Sequence, residues 1–134
     1  MHNLVDKINE ILADEWACVR ALRRAESQCD DPGQREMVKR VRRDCGINCV
    51  GLANAVRGLG GRPTDIPSAR FTLKLADESS ADSLDLAYSA QYHIVAEIEK
   101  LIDEPELKPY RDSLLTIRKL HTEDIHWLKS VSRR

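Results

Sequence analysis

"VRRDCGINCVGL", residues 41–52, lies inside a long run of helix-periodic sequence and breaks that run's own pattern. Val41 and Leu52 belong to an apolar line, but the positions between them on that line are Cys45 and Asn48. Gly46 beside them costs a helix interior about 1 kcal/mol relative to alanine. A core-facing line that turns polar halfway along needs a reason beyond packing.

Working outward, the run starts at "DDPGQ" (30–34), where Asp31 can cap, Pro32 suits the first helical position and Gln34 completes a capping box. It closes at "GLGGRP" (58–63), glycine followed by proline. Before it, Leu4, Ile8, Leu12, Val19 and Leu22 fall at helical spacing. After it, Leu84, Tyr88, Val95, Ile98 and Ile102 mark a third helix starting near Ser79, with Asp82 three residues on. "DEPELKP" (103–109) forms a turn, and Leu114, Ile117, Leu128 and Val131 mark a fourth helix. The expected helices are 3–29, 32–59, 79–103 and 107–131. The proline-broken stretch 60–78 is long enough to cross the length of a bundle. A short strand at "RFTLKL" (70–75) is a further possibility, without an obvious partner.

The two halves resemble one another. A shift of 76 residues lays "REMVKRVRR" (35–43) on "RDSLLTIRK" (111–119) without a gap, and keeps apolar positions in phase across both helices. It also places Glu15 on Gln91, Cys45 on His121 and Asn48 on Asp124. Each core line is therefore apolar at its ends and polar at its centre: Glu15 on the first helix, Cys45 and Asn48 on the second, Gln91 on the third, His121 and Asp124 on the fourth. The stretch at 41–52 is one wall of a polar layer.

Two helical hairpins joined by a long crossover, with one polar position on odd helices and an i,i+3 pair on even ones, resemble the ferritin-like superfamily. The nearest likeness is to its small, internally duplicated, rubrerythrin-like bacterial bundles. "LGGRP" after the second helix and "HTEDIHWL" in the fourth strengthen it, and it covers nearly the whole chain. The resemblance implies an all-α, antiparallel four-helix bundle forming a single domain over 1–134. In metal-loaded members a Glu from each odd helix and Glu-x-x-His from each even one hold two ions. Here only Glu15 keeps its type; Gln91, Cys45, Asn48, His121 and Asp124 differ. The implied di-metal site is degenerate, and the family's oxidative chemistry is not expected to carry over.

Three readings of the layer follow. In the leading one no cofactor is bound: Glu15 and Asp124 share His121, Asn48 and Gln91 satisfy the rest, and the protein has a non-catalytic structural, binding or stress-associated role. In the second, Glu15, Cys45, His121 and Asp124 hold one zinc or iron ion, with Cys49 able to replace Cys45. In the third, Cys18, Cys45 and Cys49 are redox thiols.

Composition narrows the partners. Net charge is −1, and 32% of residues are charged with both signs interspersed, which favours solvated helix faces over nucleic-acid binding. The opening "MHNLVDKINEILADEW" has neither the apolar run of a membrane span nor an export signal's pattern, so the expectation is a cytoplasmic chain with reduced thiols. Small residues on the second helix (Gly46, Cys49, Ala53 and Gly51, Ala55, Gly58) allow close approach of Tyr88, Tyr92, Trp16 or Trp127, or of a second copy in a homodimer. Both tryptophans are expected at the core margin. His2, His93 and His126 fall off the core lines and are expected in solvent.

Overall fold

The computed structural model describes residues 3–71 and 80–132, and among these every regular element is helical. The elements are α1 (Leu4–Gln28), α2 (Pro32–Gly58), α3 (Ser80–Leu101), a 3-10 helix (Pro105–Tyr110) and α4 (Arg111–Ser132). The expected position of Ser79, the rest of the candidate strand at 72–75, and His2 lie outside the described residues, as do the side chains of Asp82 and Val131.

Local chemistry accounts for the boundaries. The Asn3 side chain accepts from Asp6 N at the start of α1, and Asp31 Oδ1 accepts from Gly33 N (2.8 Å) and Gln34 N (3.5 Å) at the start of α2, with Pro32 at the first turn. At the end of α2 the chain reverses through Gly60, whose φ of +88° is the left-handed conformation glycine adopts without strain. Gly61 N then donates to Val56 O, so close to Val5 and Val56 that a Cβ at Gly61 would collide with Val5 Cγ1. The fourth helix begins at Arg111 rather than 107. Pro109 has no N–H to donate, and residues 105–110 take the tighter 3-10 winding instead. Tyr110, at its end, fills the space beside Gly58.

The core combines α1 faces against α2 and α3, α3 against α4, and a sparser seam between α2 and α4. Ile8, Leu12, Val19 and Leu22 of α1, Val38, Val41 and Leu52 of α2, and Leu114, Ile117 and Leu128 of α4 are all buried. On the third core line Leu84, Gln91, Ile98 and Ile102 are buried as expected, but Tyr88 and Val95 are only half-buried, and their neighbours Ala87 and Ile94, with Ala90, are sealed inside.

The stretch after α2 lies along α1. The Asn9 side chain donates to Arg62 O and accepts from Thr64 N, Trp16 Nε1 donates to Thr64 O at 3.1 Å, and Ser68 N donates to Ala13 O. Residues 69–71 are helical, which removes the candidate strand at Arg70 and Phe71. Trp16 is thus half-buried beneath this strap, while Trp127 is 49% exposed. Among the described residues, no helix is long and apolar enough to cross a membrane.

Candidate metal centre

Glu15, Cys45, Asn48, Gln91, His121 and Asp124 come from four helices, and all are buried. The imidazole of His121 lies at their centre. Its Nδ1 is 2.7 Å from Gln91 Oε1, its Nε2 is 2.5 Å from Glu15 Oε2, and Asn48 Nδ2 is 3.3 Å from the same Nε2. An amide oxygen only accepts, so Nδ1 carries a hydrogen given to Gln91. That bond fixes the ring and turns Nε2 toward Glu15.

The hydrogen bonds around Nε2 do not close. A single ring nitrogen cannot donate to Glu15 while accepting from the Asn48 amide. Glu15 Oε1, Gln91 Nε2 and Asp124 Oδ2 are buried without a hydrogen-bond partner. A sealed polar layer normally satisfies its members, because each orphaned group costs on the order of 1–3 kcal/mol. Glu15, Cys45 and His121 present one carboxylate oxygen, one sulfur and one ring nitrogen, all within 4.8 Å of one another.

Asp124 departs from the expected arrangement. Its carboxyl lies beside Asp44, and it stands apart from the Glu15–Cys45–His121 group. Burial first, then the Asp44 bond and charge, then Glu123, push its pKa up to about 8 against the pull of Arg40. Asp124 therefore links the layer to a cleft of about 460 Å³ at the α2–α4 seam, where Met37, Val41 and Trp127 also lie.

The thiols form a second cluster. Cys18 Sγ and Cys45 Sγ are 3.4 Å apart with both residues fully buried, and Cys18 Sγ also points at Ala87 O at 3.8 Å. Burial is the largest cause raising the pKa of Cys18 and of Cys49. For Cys45 the hydrogen bond shared with Cys18 comes first and burial second. Cys49, one turn after Cys45, is buried but outside the three-donor group.

One carboxylate escaped sequence reasoning. Asp14, next to Glu15, is 2% exposed, and its Oδ2 lies 3.4 Å from His93 Nε2. Burial raises its pKa, opposed by His93, Arg70 and a Ser68 hydrogen bond. His93 is therefore not a free solvated histidine, whereas His126 is exposed and stacks edge-on with Trp127.

The fold and layer define a class: an all-helical protein whose interior gathers acidic, thiol, imidazole and amide side chains at one level. Within that class the chain belongs to the family described as a domain of unknown function, DUF6306, whose model matches residues 2–130. No curated protein and no solved structure matches it.

Proposed function

We propose that this chain is a ferritin-like protein, an antiparallel four-helix bundle related to the rubrerythrin-like members, whose degenerate di-metal layer holds a single divalent cation in a non-catalytic role. The observation that carries the reading is an open acceptor at a ready donor set: Glu15 Oε1 is buried without a hydrogen-bond partner, and its carboxylate, the Cys45 thiol and the His121 imidazole lie within 4.8 Å of one another. Glu15, Cys45 and His121 would hold the ion, with Gln91 Oε1 accepting the other ring N–H of His121 and so orienting it, as carbonyls do for metal-binding histidines. Mixed oxygen, nitrogen and sulfur donors favour zinc, with ferrous iron second. A thiolate and a carboxylate together balance one divalent charge but not two. The ion would neutralise charge and tie three helices together, and the full burial of all three donors supports a structural or binding role over turnover.

The test is elemental analysis of protein purified without chelator. One zinc or iron per chain is expected, lost in Glu15→Ala, Cys45→Ala and His121→Ala. Two ions per chain, or none together with an unchanged melting temperature on adding zinc, would overturn the proposal. In the latter case the cofactor-free layer is the better description.

A homodimer forms the second part of the reading. Ile47 and Val50 are 64% and 61% exposed on α2, and Gly46 beside them faces open space. Light scattering of the wild type and of Ile47→Asp, expected to be dimer and monomer, checks it.

A further inference from the structure

We infer that Cys18 and Cys45 are a dithiol that closes to an intramolecular disulfide under a hydroperoxide oxidant, cross-linking α1 to α2. The inference rests on side-chain geometry and goes beyond the metal reading, since it concerns the same two sulfurs whether or not an ion is bound.

The two sulfurs are 3.4 Å apart and neither residue has any exposed surface. They sit on different helices, 27 residues apart in sequence. Linking them therefore constrains the hairpin, which a bond between Cys45 and Cys49 within one helix would not do. Either thiol can be the donor of that contact, so either sulfur can be oxidised first and the other then resolves it. In the first step one of the two sulfurs takes one oxygen from hydrogen peroxide, the O–O bond breaks, water leaves, and a sulfenic acid remains. In the second, the other sulfur attacks it, and the sulfenic oxygen departs as water with the attacking thiol's proton. Two electrons pass from the pair of sulfurs to the peroxide, and two waters form in all.

Burial makes the first step slow, because the oxidant must be small and uncharged to reach either sulfur. The second step is fast, because the resolving sulfur is already in contact. Oxidation therefore stops at the disulfide instead of climbing to sulfinic acid. Cys45 is also withdrawn from Glu15 and His121.

The experiment uses the full chain with Cys29→Ser, since Cys29 is only half-buried and would otherwise react first. Chelator-treated protein is exposed to hydrogen peroxide. Remaining thiols are alkylated in denaturant, and the non-reduced digest is read by mass spectrometry. The expected result is one species in which the peptides bearing Cys18 and Cys45 are joined with the loss of two hydrogens. The chain stays unlinked to other chains, and thermal unfolding shifts up by several degrees until reductant is added. Cys49→Ser should leave the link intact, and Cys18→Ala should abolish it and let Cys45 oxidise further. Free Cys18 and Cys45 after Cys29-independent oxidation elsewhere, or links between chains, would overturn the inference. A parallel arm with zinc added separates the two readings. If zinc never binds but the link forms, only the metal proposal fails; if zinc binds stoichiometrically but no link forms, only this one does.

Discussion

Removing His121 alone, and removing it together with the charge on Glu15, should have very different consequences. In metal-free protein His121→Leu leaves the Glu15 carboxylate fully buried with no partner on either oxygen, since Oε1 has none already and Oε2 loses the imidazole. Stranding one member of a buried ion pair costs about 3–5 kcal/mol. For a chain of 134 residues, the usual unfolding entropy converts this to a fall of roughly 10–17 °C in melting temperature. Glu15→Gln in the same background replaces the stranded carboxylate by a neutral amide, which costs less to bury unpaired. The double variant should therefore recover roughly 2–3 kcal/mol relative to His121→Leu. Urea and thermal unfolding, followed by circular dichroism with chelator present, supply the four corners of the cycle. Single-variant effects that add to within about 0.5 kcal/mol would refute the reasoning, because independent sites add and a contacting ion pair does not.

Other perturbations probe other parts of the structure. Asp124 has a raised folded pKa, so the folded state binds its proton more tightly than the unfolded chain does, and this contribution to stability fades as pH rises from about 4 to about 8. Asp124→Asn should then stabilise the protein, relative to wild type, at pH 8.5 and give little or no gain at pH 5; equal effects at both pH values would contradict the Asp44–Asp124 pairing. Gly61→Ala drives a methyl into Val5 and Val56 and should cost about 1–3 kcal/mol by urea denaturation. Asp31→Ala removes the cap of α2 and should cost about 1 kcal/mol. Asn9→Ala should release Arg62 and Thr64 and shift Trp16 fluorescence to longer wavelength, because the indole N–H loses the held carbonyl of Thr64.

Much of this was legible in the chain itself, and the misses have physical causes. Asp31 and Pro32, the α2 ending at Gly58, and the polar centre of each core line are local signals written in single residues. The third core line missed at two positions, because Ala87 carries little hydropathy beside the larger Tyr88, and Val95 is nearly as apolar as its neighbour Ile94. Asp14 had no signal. It is buried because His93 on α3 and the strap at Ser68 and Arg70 cover it, and such cover comes from segments distant in sequence. Asp124 was placed with His121 because the two share a helix face. It faces Asp44 of α2 instead. The short 3-10 turn at Pro105–Tyr110 was anticipated as a turn, but the delay it imposes on α4 depends on Pro109.

The strap laid over α1 has a consequence for how the molecule opens. With α2 on one flank, α3 on another and residues 62–68 on a third, α1 has eleven buried residues among its 25, against eight of 27 in α2. An element enclosed in this way can release its amide protons only when its neighbours have already parted. In deuterated buffer the amides of Ile11 to Leu22 should therefore be the last to exchange, and the outer turns of α4 among the first.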